Sequence, residues 1–222
     1  MLFIFKHIDE ISIKDFLTIL KFQRNSSKKL NDFKDLEFSS EFITCNFVKS
    51  FDSYELIYDD NSECLITKKF TKMYSAQVFI SIKMNYLIIY GEKTVCLSAE
   101  KILNEKLKYT LKPWVFSIED IYTKFSDLDI VINEVKFSNV KLLNTLLKAM
   151  TLEFENNFDA LKIIHDLRYP PVFIRLKFFY QDEVCDLTVS IELGHVELKY
   201  DSFNKVVYDN LKEKILKLIE GA

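Results

Sequence analysis

The chain has three histidines, His7, His165 and His195, and none stands in a spacing that builds a metal or acid–base site. A zinc hydrolase motif needs two imidazoles one helical turn apart with a carboxylate between them, and no pair here comes close. The acidic pairs Asp59–Asp60 and Asp182–Glu183 fall where turns are expected, and carboxylates are common there for solubility. No serine sits in a GxSxG elbow. Cys45, Cys64, Cys96 and Cys185 are widely and irregularly spaced and form no CxxC. Each lies in an apolar pattern, where a free thiol behaves as a small hydrophobe, so a reducing intracellular setting is expected. Only Gly91, Gly194 and Gly221 are glycine. A phosphate loop or dinucleotide turn needs clustered glycines for backbone N–H groups to approach a pyrophosphate, so those enzyme classes are excluded. The expectation is a protein without catalytic activity, cofactor or metal, unless a site is assembled only in three dimensions.

Binding chemistry is better represented. Lys14, Lys21, Arg24, Lys28 and Lys29 form a basic cluster against Asp15, on an expected first helix and its extension. Lys162, His165 and Arg168 share a second helical stretch with Asp159 and Asp166, and Lys124 lies beside Glu119, Asp120 and Asp127. For each cation, solvation of a helix face and contact with phosphate are equally good readings. The net charge of −3 argues against a protein that neutralises many phosphates at once. Twenty phenylalanines and eleven tyrosines supply stacking surface or core. With so few small residues, core is the expected use.

These side chains need elements to position them. No apolar run reaches the roughly 20 residues that span a bilayer, so no membrane partner is expected. The start, MLFIFKHIDE, lacks the features of a signal peptide and reads as an edge strand. Further on, the chain echoes itself. Ser12, Ile13, Asp15 and Thr18 recur 105 positions later as Ser117, Ile118, Asp120 and Thr123. Thr44, Phe47, Phe51, Asp52, Ile57 and Asp59 recur 107 positions later, and Lys68, Phe70, Ser81 and Ile82 recur 109 later. Matches whose offset grows in order are what two small insertions in a duplicated chain would leave.

Each copy would then hold a Ser-capped helix, alternating strands, a second helix, a strand meander and a closing helix. The second helix of copy two runs from an Asn157 cap to Pro170–Pro171, and alignment with it makes 54–60 of copy one a helix as well. The meanders are 64–70, 77–84 and 86–91, against 172–180, 184–193 and 195–200, with tight turns at Asn85 and Gly194. Helices at 98–107 and 203–220 close them. The fold class is α+β and internally duplicated: domain one is 1–108, a linker 109–113 carries Pro113, and domain two is 114–222.

Three segments carry a family resemblance: 117–138, 157–193 and 86–103. They are similar to the first helix and strand, the second helix and hairpin, and the end of a domain in sliding DNA clamps, nearest the heterotrimeric checkpoint clamp. The resemblance implies antiparallel sheets with short helices on an inner face, and a three-membered ring, a heterotrimer by preference, around double-stranded DNA. It further implies sequence-independent contact by the cations named above, recruitment of DNA-processing enzymes, and a nuclear location in a eukaryote. A partner surface near the linker would use Leu107, Tyr109, Leu111, Pro113 and Trp114, although Trp114 equally begins the core of the second copy. The chain departs from the clamp pattern in a helix-like stretch at 139–150 and in a helical C-terminus. An interaction scaffold with the same duplicated fold and no DNA role is the alternative.

Overall fold

The computed structural model describes residues 1–8, 31–61, 63–106, 111–142, 145–200 and 205–219. It is α+β and consists of two compact units, one made of 7–111 and the other of 1–6 with 112–222. The chain begins with strand β1 (Leu2–Ile8), whose first residues belong to the unit formed by the C-terminal half. The division thus falls inside the expected linker, but the first six residues cross over it.

In the unit 7–111, β2 (Asn31–Phe38), β3 (Phe42–Asp59), β4 (Cys64–Ser81) and β5 (Tyr86–Gly91) form an antiparallel meander in chain order. Alternation puts Ile43, Cys45 and Phe47 of β3 on one face with Ala76, Val78 and Ile80 of β4. Helix α1 (Lys93–Lys106) lays Val95, Ala99 and Leu103, one per turn, over the same sheet. Its first turn is held by Glu92, whose carboxylate accepts from the Val95 N–H at 3.1 Å. β2 carries a bulge between Lys34 and Glu37, and Asp35 adopts φ 54° there.

In the other unit, β6 (Leu111–Pro113) and α2 (Ile118–Lys124) lead into β7 (Ile130–Leu142) and β8 (Thr145–Glu153). Helix α3 (Asn157–Leu167) follows, then β9 (Pro171–Tyr180), β10 (Glu183–Ser190), a 3-10 turn at Ile191–Leu193, and β11 (His195–Tyr200). Helix α4 (Lys205–Leu216) ends in a 3-10 turn, Lys217–Ile219. The strand order is β8-β7-β9-β10-β11-β1. Ile174, Leu176 and Phe178 of β9 share the buried face with Leu187 and Val189 of β10 and Val196 and Leu198 of β11. Phe125, the C-cap of α2, and Val207, Leu211 and Ile215 of α4 are buried, and the Phe125 ring lies 6.0 Å from that of Phe178.

The two meanders share details of register. Ser81 pairs with Tyr86 across β4–β5, and Ser190, 109 residues on, pairs with His195 across β10–β11. The remaining pairs follow in step. Each hairpin turns on a left-handed residue, Asn85 (φ 53°) or Gly194 (φ 64°), and each is followed by a helix. The first strand of each meander is bulged at the same level, opposite Thr44–Asn46 in one and Arg175–Leu176 in the other. Between β7 and β9 the chain inserts β8 and α3, whereas β2 passes to β3 through a short turn in which Ser39 Oγ accepts from the Glu41 and Phe42 N–H groups at 3.1 Å.

Several expectations are corrected. Residues 54–60 are not a helix: β3 runs on to Asp59 and pairs with β4 down to Asp59↔Cys64. The six matches at an offset of 107 are not structural equivalents either: register sets Thr44 of β3 level with Arg175 of β9, whereas 151–166 falls in β8 and α3, which the meander of 7–111 lacks. Residues 64–70 and 77–84 are not separate strands, because β4 is unbroken from Cys64 to Ser81. The stretch 139–150 is strand on both sides of residues 143–144, with Val140 paired to Leu147. The N-terminal strand is not a free edge: it pairs with β11 in the register Phe3↔Val196. The capping residue of α3 is Asn156, one before the expected Asn157. The caps expected at Ser12 and Asp15 lie outside the described residues.

Gly194 is the position this arrangement tolerates least. Its φ is +64°, and a Cβ there would overlap the Phe5 carbonyl oxygen and lie 2.8 Å from the Trp114 nitrogen, both backbone atoms. The Phe5 N–H donates to the Gly194 carbonyl at 2.7 Å, so the strand cannot move aside without losing a buried bond. Gly194→Ala is expected to cost at least about 2 kcal/mol in urea denaturation, and Asn85→Gly to change stability by less than about 1 kcal/mol.

Candidate nucleic-acid interface

Helices α2 and α3 carry the described members of the predicted cation set. Ser117 caps α2 as expected, its hydroxyl accepting from the Asp120 N–H at 2.9 Å. Ile118 and Ile121 are the buried side of the helix, and Lys124 stands exposed in its last turn. Helix α3 is capped by Asn156, which accepts from the Asp159 N–H at 3.0 Å. Asn157 anchors α3 to β7: its Nδ2 donates to the Ile130 carbonyl at 2.6 Å, and its Oδ1 accepts from the Ile132 N–H at 2.7 Å. One side chain thus replaces two backbone partners and fixes the angle at which the helix leaves the sheet.

Ala160 is the fully buried residue of α3, so most of this short helix faces outward. Lys162 is exposed, and the His165 side chain is 92% exposed with Nδ1 3.6 Å from an Asp166 oxygen. Arg168 ends the helix in the left-handed conformation, φ 54°. Tyr169 then returns to β7, its hydroxyl accepting from the Lys141 N–H at 3.1 Å, and Pro170 and Pro171 prevent another helical turn. A cavity of about 360 Å³ separates the start of α2 from the C-terminal half of α3. Phe116, Ile118, Leu161, Ile164 and Ile191 line it, and Glu119, His165 and Arg168 edge it.

The structure therefore brings His165 and Arg168 to one groove, with Lys162 on the same helix and Lys124 on the neighbouring one. Lys14, Lys21, Arg24, Lys28 and Lys29 lie outside the described residues. On α2 and α3 with their caps, Glu119, Asp120, Asp159 and Asp166 outnumber Lys124, Lys162 and Arg168. This pair of helices is an electrostatic mosaic, not a basic surface.

The predicted partner wall has a different fate. Leu107 and Tyr109 lie outside the described residues. Leu111 is buried at 6% exposure and Trp114 at 8%, so both belong to packing, as the core reading of Trp114 expects. Pro113 is half-buried. Val115, next to Trp114 in sequence, is open at the surface, and so is Phe158 of α3. Phe158 is legible only from which side of α3 faces inward, and the Asn157 anchor sets that.

A charged cluster on the other face of the C-terminal sheet also escaped the sequence reading. Glu134, nearly buried, lies 3.0 Å from Lys136 Nζ and 3.1 Å from Arg175 Nη1. Lys136 also sits 4.6 Å from the centre of the Phe173 ring. The signal was available in the alternation of β7 and β9, since both cations point to the face opposite the core. Every group in the cluster has a partner, and its chemistry is structural.

Nucleophilic chemistry is weak among the described residues. Burial pushes the thiols of Cys45 and Cys96 up to about 12, so neither forms thiolate near neutrality. Cys185 is also buried, and Cys64, contrary to the expectation for all four, is exposed. Among the described residues no group of three or more His, Cys, Asp or Glu side chains is placed to hold a metal ion. No described helix is long and apolar enough to cross a membrane. No family model matches the chain, and no curated protein sequence matches it significantly. At pH 8 a thiol-specific reagent should modify one cysteine rapidly in the native protein and all four in denaturant, and Cys64→Ser should abolish the fast phase.

Proposed function

We propose that this chain is a non-enzymatic, clamp-like subunit of internally duplicated fold that takes part in a ring around duplex DNA and recruits DNA-processing factors there. The supporting observation is the shared register of the two meanders. Each has four antiparallel strands, a bulge at the same level of the first strand, a left-handed residue in the last hairpin, and a closing helix. Two unrelated α+β units have no reason to agree in register, bulge and turn together. Duplication accounts for all three, with β8 and α3 present in one copy and a longer β3–β4 hairpin in the other.

In this reading α2 and α3 form the DNA-facing pair of their domain, with Lys124, Lys162, His165 and Arg168 as contacts. A surface that slides need not hold many phosphates tightly, and other subunits of a hetero-ring would supply more positive charge. The second reading, a protein-interaction scaffold of the same duplicated fold, is favoured by the excess of carboxylates on these helices.

Duplex binding separates the two. Fluorescence anisotropy with random-sequence duplexes, on the chain alone and with candidate partner subunits, should show weak, sequence-independent binding that falls with salt. Lys162→Glu with Arg168→Glu should lower the slope of log affinity against log salt by about 2, the amount for two lost phosphate contacts. Absence of binding in every combination at low salt leaves the scaffold.

A further inference from the structure

The cavity between α2 and α3, about 360 Å³, is built entirely from residues of the C-terminal unit. Its size is in the range of sites that hold a ligand, and its make-up follows their usual rule, an apolar lining with a few polar groups at the edge. Phe116, Ile118 and Ile191 are buried beneath it, and Leu161 and Ile164 of α3 are half-buried along its side. The apolar surface does not stop there. Val115 at one margin is 72% exposed, and Phe158, one turn before Leu161 on α3, is 76% exposed. A compact metabolite held in the cavity would leave both side chains in water. An occupant with length, a chain segment, covers them.

The charges narrow the choice. Glu119 of α2, His165 of α3 and Arg168 at the end of α3 are the charged groups that edge the cavity. At helical spacing Asp159, Lys162 and Asp166 fall on the side of α3 turned away from it, although Asp166 reaches round to His165 Nδ1 at 3.6 Å. The imidazole already has a carboxylate neighbour, so Arg168 is the cationic end of the cleft. Glu119 and Arg168 are exposed, and neither side chain makes a hydrogen bond or ion pair with another described residue. They do not pair with each other across the cavity either. A cleft with a free carboxylate on one helix and a free guanidinium at the end of the other is complementary to a segment with opposite charges on the two sides of an apolar stretch. A phosphate backbone laid in the cleft would meet Glu119 unfavourably, and a uniformly basic tail would meet Arg168 in the same way.

We infer that the α2–α3 cleft docks a short segment of a partner protein, whose apolar side chains enter the cavity while an acidic residue lies against Arg168 and a basic one against Glu119. This does not rest on the clamp reading. In the docked complex Arg168 is engaged by a carboxylate instead of a phosphate. The contact is small, so docking is expected to be weak and reversible.

Fluorescence anisotropy of the full chain with four labelled peptides tests it. All four carry three central leucines. One has Lys before and Glu after them, one the reverse order, one Lys on both sides and one Glu on both sides. One of the two mixed-charge peptides is expected to bind about tenfold more tightly than either like-charged peptide. Glu119→Lys should turn the preference to the peptide with Glu on both sides, and Arg168→Glu to the one with Lys on both sides. The two changes together should select the mixed peptide of the opposite order. Both side chains stand in solvent, so the melting curves of these variants should match that of the parent chain. Leu161→Asp should remove binding of every peptide with circular dichroism unchanged. Failure of all four peptides to bind overturns the inference, and so does binding indifferent to charge order, to Glu119→Lys or to Leu161→Asp. The clamp reading fails separately, because Glu119→Lys removes a carboxylate and should leave duplex binding intact.

Discussion

The closure of the C-terminal unit by the first six residues is the constraint on which most of the structure depends. The Met1 ammonium donates to the Leu198 carbonyl at 2.7 Å, and the Leu198 N–H donates back to the Met1 carbonyl at 2.9 Å. Phe3, Ile4 and Phe5 are fully buried, the Phe5 ring meets Phe116 edge-on at 5.3 Å, and Lys6 reaches the Leu193 carbonyl with its ammonium at 3.0 Å. Each buried aromatic or aliphatic side chain contributes about 2 kcal/mol. This strand pays a large loop-closure entropy before it gains any contact, which is the condition for slow, late assembly of one part of a fold. The two compact units therefore do not coincide with the two halves of the sequence.

A second theme is where the polar groups are used. Asn157 is spent on two backbone atoms, and Glu134 is held between two cations. Lys214 of α4 bonds Asp127, just past α2, at 2.6 Å, and that hydrogen bond keeps the Asp127 carboxyl below its ordinary range. Two thiols are pushed out of the reactive range by burial. Side chains that might have done chemistry are largely structural, which turns the search for function toward surfaces.

Local physics made part of this legible in the sequence. Ser117 and Asp120 mark a cap because a hydroxyl before a helix has an orphan N–H to satisfy. Asn85 and Gly194 mark turns because few residues accept a positive φ. The closing helices follow from apolar spacing, although α1 begins at Lys93, earlier than the expected 98. The failures are non-local. YELIYDD suits helix or strand by pattern, and it becomes a strand because 64–70 lies across from it after a turn at Asp60–Asn61. The leucines of 139–150 have helical spacing, but pairing with β7 overrides it. The fate of Trp114 was open for the same reason: a residue beside a linker is surface or core according to which strand takes up its N–H, here Phe5 of β1.

The two hairpins that share a place in their meanders differ greatly in length. β9 and β10 are joined across Gln181–Asp182, whereas β3 and β4 run on for ten more rungs. Each added rung touches little besides its neighbours in the ribbon, so the hairpin tip is insulated from the packing below it. Insertions and deletions there leave the hydrophobic layer unaltered, and this loop is where a lineage is free to vary reach without having to refold the body of the protein.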